Sequence, residues 1–179
     1  MGRWMATNGT ESRGQAVWVC PFTVQVDTAE QLPYTFQGLR TNADKGNKPI
    51  EVPTVRKHLK TGDYSILGHH NGIVIERKSK EDLYASVARR ENFEDRLNRM
   101  EEIHDAGGLA FIMVENGRRH VINHPPKHSD YNPKALNRTI LAWEIRYRAK
   151  WMFIGGRDYA EAMTFRILER WWAEYNKGK

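Results

Sequence analysis

The stretch from Gly62 to Asp82, GDYSILGHHNGIVIERKSKED, constrains this chain more than any other. Tyr64 and Ile66 alternate with smaller residues, and Ile73-Val74-Ile75 form a compact apolar run, so both pieces read as short strands. Between them Gly68-His69-His70-Asn71-Gly72 is rich in turn formers, and a hairpin is expected. That hairpin would set Asp63, at the start of one strand, near Glu76, at the end of the other. Glu76 and Lys78 are two residues apart and would share one side of their strand. Two carboxylates that can hold a hard divalent cation, with an ammonium beside them, suit a phosphate and a water. Each residue also has a plainer reading. Asp63 follows a glycine and can serve a turn, Asp82 can cap a helix, and Glu76-Arg77-Lys78 can be a solvated charge run. Glu76 stands apart because it directly follows an apolar strand, where a surface charge triplet is less common.

The remaining composition narrows the classes. At 179 residues the chain is long enough for one domain with a full hydrophobic core. A flexible tail is expected over residues 1–15, with Met5 as an alternative start, and a single folded domain over 16–179. No run is long and apolar enough for a transmembrane helix, and the polar start MGRWMATNGTESRGQ lacks a signal-peptide core, so no membrane partner is expected. The single Cys20 excludes an intramolecular disulfide and a cysteine-built zinc site, and it fits a reducing cytoplasm. A net charge of +6 favours a polyanionic partner, nucleic acid above all.

Along the chain, Val17 to Asp27 is a β-rich apolar run, and Pro33 marks departure from it. Residues 38–50 read as a loop, and Ile50 to Leu59 fit a strand or a short helix equally well. Ser79 to Asp82 has the form of a capping box ahead of a helix that carries Leu83 and Val87. Asn92 can cap a second helix, with the stripe Phe93, Leu97, Met100 and His104, before Gly107-Gly108. Leu109 to Val114 is continuously apolar, as a strand buried on both faces should be. Asn132-Pro133 places a cap and a first-turn proline before a helix bearing Leu136, Ile140, Trp143 and Tyr147. A strand over Trp151 to Ile154 follows, and Asp158 with Glu161 opens a last helix with Met163, Ile167, Trp171, Trp172 and Tyr175. This order predicts an α/β sandwich with a central mixed β-sheet flanked by α-helices. His120, His124 and His128 recur every four residues, but Pro125-Pro126 forbids a regular helix across them, so a loop is expected rather than a zinc site. The aromatic face of the last helix suits either a dimer surface or core packing.

Taken together, the motifs resemble the nuclease domain of the XPF family, within the restriction-endonuclease-like class. The family pattern is a strand ending in Val-Asp-x-Arg-Glu, then Gly-Asp, then Glu-Arg-Lys-x-x-x-Asp. Here the parts stand in order as Val26-Asp27-Thr28-Ala29-Glu30, Gly62-Asp63 and Glu76-Arg77-Lys78-Ser79-Lys80-Glu81-Asp82. The match is strongest over residues 20–116. Two departures stand out. Ala29 replaces the usual Arg, and Ser86 to Leu97 keeps only part of the family's Ser-Ile-x-Asp-Gly-Arg and later Gln and Arg-Leu.

The resemblance implies a restriction-endonuclease-like sandwich and a Mg2+- or Mn2+-dependent endonuclease that cuts branched, flapped or junction DNA to leave 5′-phosphate and 3′-hydroxyl ends. It draws Asp27 and Glu30 into a catalytic set with Asp63, Glu76, Arg77, Lys78 and Asp82, with metal on Asp63, Glu76 and Asp27. Arg89, Arg90, Arg96, Arg146, Arg148 and Lys150 are the candidate DNA contacts. Longer family members carry helix-hairpin-helix or helicase parts, and no segment here reads as either. DNA grip is therefore expected from a homodimer, a partner protein or the chain's own basic helices, in a cytoplasmic protein of a prokaryote or phage. The rival reading is a catalytically silent DNA-binding or scaffold subunit. Retention of Asp63, Glu76, Lys78 and Asp82 argues against it, and Ala29 is the feature in its favour.

Overall fold

The computed structural model describes residues 16–127 and 129–177; the expected tail over 1–15, with Met5, and His128 lie outside them. In chain order the elements are β1 (Trp18–Val19), β2 (Val24–Val26), β3 (Ile50–Glu51), β4 (Thr54–Arg56), β5 (Tyr64–Ile66) and β6 (Ile73–Lys78). There follow α1 (Lys80–Ala88), α2 (Arg90–Asp105), β7 (Leu109–Val114), α3 (Arg118–Asn123), α4 (Pro133–Arg146), β8 (Lys150–Phe153) and α5 (Arg157–Tyr175).

Six strands form one mixed sheet in the order β4-β2-β5-β6-β7-β8, while β1 and β3 pair apart from it. The hairpin is present: β5 and β6 run antiparallel, with Tyr64 opposite Ile75, and the turn closes where the Gly72 amide donates to the His69 carbonyl at 2.8 Å. Strands β6, β7 and β8 are parallel, so helices must carry the chain back between them. Every residue of β6 is buried, which explains its unbroken apolar start and its place at the centre of the sheet.

Alternation along β6 divides the molecule into two cores. Val74 packs with Ala110, Ile112 and Val114 against α1 to α4, around Leu97, Met100, Ile140 and Trp143. Ile73 and Ile75 face the other way with Met113, toward Phe165 and Leu168 of α5 and the loop residues Tyr34 and Phe36. By the same alternation Glu76 and Lys78 point to the α1–α2 side, and Arg77 to the α5 side.

Several boundaries differ from the sequence reading. The run from Val17 to Asp27 is two strands in different sheets, because Pro21 interrupts the pairing row between them. Ile50 to Leu59 resolves into β3 and β4. Helix α2 begins at Arg90, after one non-helical residue at Arg89, so Asn92 lies in its first turn and is not the cap. Ile103 rather than His104 completes its buried stripe. The expected loop around His120 begins as α3, which ends ahead of Pro125; the rings of His120 and His124 stack at 4.6 Å. At α5 the cap position is Gly156, and Glu161 instead accepts a hydrogen bond from the Phe36 amide. Among the described residues no helix is long and apolar enough to cross a membrane.

Candidate active site

Strand register builds the site. The Asp27 amide donates to the Asp63 carbonyl at 2.8 Å, and the Asp63 amide donates to the Ile75 carbonyl at 2.8 Å. Asp27, Asp63 and Glu76 therefore form a row across three neighbouring strands, at one end of the sheet. Gly62 makes the close approach to β6 feasible. Its φ is +78°, and a side chain there would place Cβ 3.1 Å from Cβ of Val74 and 3.2 Å from the Ile75 carbonyl.

The row opens into a cleft of about 770 Å³ bounded by the β2 and β5 ends, the start of α1 and one face of α2. Each carboxylate is anchored. Asp63 Oδ2 accepts the Arg77 amide at 2.7 Å, and Asp27 Oδ1 accepts the Leu59 amide at 2.8 Å and faces His58 Nδ1 at 3.3 Å. Glu76, only 1% exposed, takes both Lys78 Nζ at 2.9 Å and an Arg96 guanidinium nitrogen at 2.6 Å on its Oε1. Lys78 Nζ also lies 4.8 Å from the centre of the Phe93 ring, so the ammonium is held between carboxylate and aromatic face.

These surroundings split the two central acids. Burial raises Asp63 well above the ordinary carboxyl value, and the charge of Glu76 adds to that. Burial pushes Glu76 up as well, but Lys78 and Arg96 outweigh it and hold Glu76 below its usual value. Two carboxyls that repel across a strand pair favour a divalent cation between them, and a magnesium-like ion needs only one or two protein carboxylates. The donor set thus fits a hard cation on Asp63 and Glu76. Asp27 lies in the same row and lines the same cleft; among the described residues, as the side chains stand, no three His, Cys, Asp or Glu are grouped around one point. Asp27 engages the Leu59 amide and His58 through Oδ1, and Glu76 engages Lys78 and Arg96 through Oε1.

Arg77 and Glu30 also line the cleft, and Arg77 alternates with Glu76 and Lys78 along β6. Arg77 bonds Glu30 Oε2 at 3.0 Å and Glu115 Oε2 at 3.0 Å, and all three are buried. Arg157 extends this network, pairing with Glu115 at 2.8 Å, stacking over Tyr34 and donating to the Leu32 carbonyl at 2.7 Å. A buried, fully paired network of this kind fixes the end of β6 and the loop after β2. Glu115 and Arg157 were not anticipated. Glu115 carries the same signal as Glu76, a charge closing an apolar strand; nothing local marks Arg157. Asp82 lines the cleft, but it accepts from the Ser79 amide at 3.4 Å while Ser79 Oγ accepts from the Asp82 amide at 3.0 Å, the reciprocal cap of α1.

The expected DNA contacts divide. Arg89 and Arg96 line the cleft. Arg90 and Arg146 both pair with Glu94, at 2.7 and 3.4 Å, and Arg148 pairs with Glu101 at 2.7 Å and also with Asp105. Lys150 lies over Phe111 on the edge strand β8. None of these four lines the cleft, because α4 and β8 stand on the far side of α2 and β7, and acids of α2 neutralise the three arginines.

Comparisons with known proteins bear on the family and the fold. The model of the ERCC4 domain family matches residues 26–164. The structure of XPF from Aeropyrum pernix superimposes with a TM-score of 0.55 at 20% identity, covering 87% of this chain and 62% of that one. The same protein in complex with DNA superimposes with a TM-score of 0.56 at 21% identity, covering 87% and 67%. The chain therefore spans about 62% of the length of the first of these structures. No curated protein sequence matches it.

Proposed function

Because the chain belongs to the ERCC4 domain family, we propose that the cleft is the active site of a divalent-metal-dependent DNA endonuclease acting on branched, flapped or junction DNA. The observation that carries this reading is the row Asp63–Glu76 with Lys78 and Arg96 on the same carboxylate, at the mouth of a polar cleft. Asp63 and Glu76 would hold a magnesium or manganese ion. When bound, such an ion supplies charge neutralisation at the phosphate and a lowered pKa for a nearby water.

The chain's own residues would do the rest. The Lys78 ammonium, fixed by Glu76 and Phe93, orients the attacking water and balances the negative charge that develops on the phosphate oxygens. A water adds to phosphorus and gives up a proton to solvent as the P–O3′ bond breaks, and the departing 3′ oxygen takes a proton from solvent to leave as a hydroxyl. Arg96, half exposed on α2, can exchange Glu76 for a substrate phosphate, since an arginine fork matches either group. Arg77 and Glu30 act as positioning residues: the Arg77 amide orients Asp63, and its side chain locks the β6 end through Glu30 and Glu115. Asp27 holds the Leu59 loop that forms the cleft wall. Asp82 completes the capping box that Ser79 opens on α1. DNA grip beyond this cleft is assigned to a homodimer or a partner protein.

The decisive experiment incubates the purified chain with flap, fork, four-way-junction and linear duplex DNA, with magnesium, manganese or chelator, beside Asp63→Asn. Metal-dependent cutting by the wild type alone is expected. Absence of cutting on every substrate with either metal would sink the enzyme reading in favour of a silent subunit. Cutting that survives Asp63→Asn would mean the chemistry lies elsewhere.

A further inference from the structure

The cleft does not end at the acidic row. A second cavity of about 220 Å³ adjoins it, and both are walled by Lys60, Thr61 and Arg99. Arg89, Asn92, Arg96 and Arg99 follow one another at three- and four-residue steps, so one face of α2 lies along the first cleft and reaches the second. His70 and Asn71, from the β5–β6 turn, form the other wall of the second cavity.

Arg99 is the unusual member. Its Nε is buried and has no hydrogen-bond partner among the described residues, and it joins none of the ion pairs there. A guanidinium stays charged at every physiological pH, so a half-buried one without a carboxylate leaves donors for an anion. Lys60 is its neighbour. The Lys60 pair with Glu102, at 3.3 Å, is exposed on both sides and therefore weak, so the ammonium is easily exchanged to a stronger anion. On the α4 side of α2, by comparison, each arginine has a less exposed carboxylate beside it, Glu94 for Arg90 and Arg146 and Glu101 for Arg148.

We propose that Arg99 and Lys60 form a backbone-phosphate subsite for a DNA strand, flanking the phosphate held at the acidic row. The strand then runs from Glu76 along α2 into the second cavity, where His70 and Asn71 face its sugar-phosphate edge. This subsite rests on the nuclease reading, and it adds a binding position remote from the reacting atoms. It contacts the backbone, so it contributes affinity without base preference.

The test is DNA binding followed by fluorescence anisotropy in chelator, over a range of salt, with inorganic phosphate as competitor in a separate arm. Arg99→Gln is expected to weaken binding roughly three- to tenfold and to reduce the salt slope by about one. Lys60→Gln, at an exposed position, should act in the same direction. Arg99→Lys should restore part of the slope, and Arg170→Gln, which removes the same charge on α5, should leave binding unchanged. Competition by inorganic phosphate at concentrations that spare Arg99→Gln would mark a free-anion site instead of a strand path. If the wild type binds and cuts DNA while Arg99→Gln and Lys60→Gln keep its affinity and slope, the subsite is wrong and the nuclease reading stands. If the wild type neither binds nor cuts any DNA, both fall.

Discussion

At the scale of single residues, the site depends on positions where no other side chain would serve. Gly62 holds a left-handed φ of +78° with β6 packed against it, so a methyl group meets both backbone strain and Val74. Gly62→Ala should cost about 1–3 kcal/mol in urea unfolding. It should also reduce cleavage far more than that loss explains, because Asp63 is displaced with it. Asp82 is the converse case. Its bonds to Ser79 cap α1, so Asp82→Ala should lower stability by about 1 kcal/mol. Cleavage measured well below the melting temperature should survive; abolished activity in a folded Asp82→Ala protein would return that residue to the chemistry. The two motif positions look alike in sequence, and only their partners distinguish them.

At the scale of elements, β6 carries opposite tasks on its two faces. Glu76 and Lys78 face the cleft, while Arg77 between them is 8% exposed and shared by Glu30 and Glu115. Removing one partner of a buried pair leaves an uncompensated charge, so Arg77→Met should destabilise the fold by about 3–5 kcal/mol in chemical denaturation. A double variant with Glu30→Gln should recover part of that loss. No recovery would mean that the two side chains do not act as a pair. Most elements were legible in advance for a local reason. The β5–β6 hairpin, β7 and α4 each combine a strong apolar pattern with clear turn or cap residues, and the Asn132 side chain does accept from the Lys134 amide at 2.8 Å. Boundaries failed where a tertiary partner overrode a local signal. Glu161 resembles a first-turn acid but serves the Phe36 amide from across the molecule, whereas Asn92 falls inside α2 because that helix starts at Arg90, with Arg89 alone between it and α1.

At the scale of the whole molecule, charges that look alike along the chain are sorted by where they land. Glu94 of α2 gathers Arg90 of its own helix and Trp143 and Arg146 of α4, and these hold its carboxyl below its usual value, the Arg90 bond most of all and the Trp143 indole next. A depressed carboxyl contributes stability that is fully present above its unfolded pKa of about 4.5 and is lost as pH falls through the folded value. Glu94→Gln should therefore lower stability near neutrality and flatten the acid limb of the stability curve, read by denaturant midpoints between about pH 3 and 7. An acid limb as steep as that of the wild type would assign that proton uptake to other carboxyls. The sequence alone determined the α/β order, the hairpin, and the acids Asp63 and Glu76 with Lys78 beside them, because strand periodicity and turn chemistry are local and set which side chains share a face. It also held Asp27, which the fold brings into the same row with its Oδ1 on the Leu59 amide and His58. Only the tertiary structure decided that Arg77 and Glu30 pair with each other in the cleft wall, that Arg96 and Arg99 face the cleft, and that Arg90, Arg146 and Arg148 pair with acids away from it. Those outcomes depend on which helix packs on which face of the sheet, and so on contacts between residues far apart in the chain.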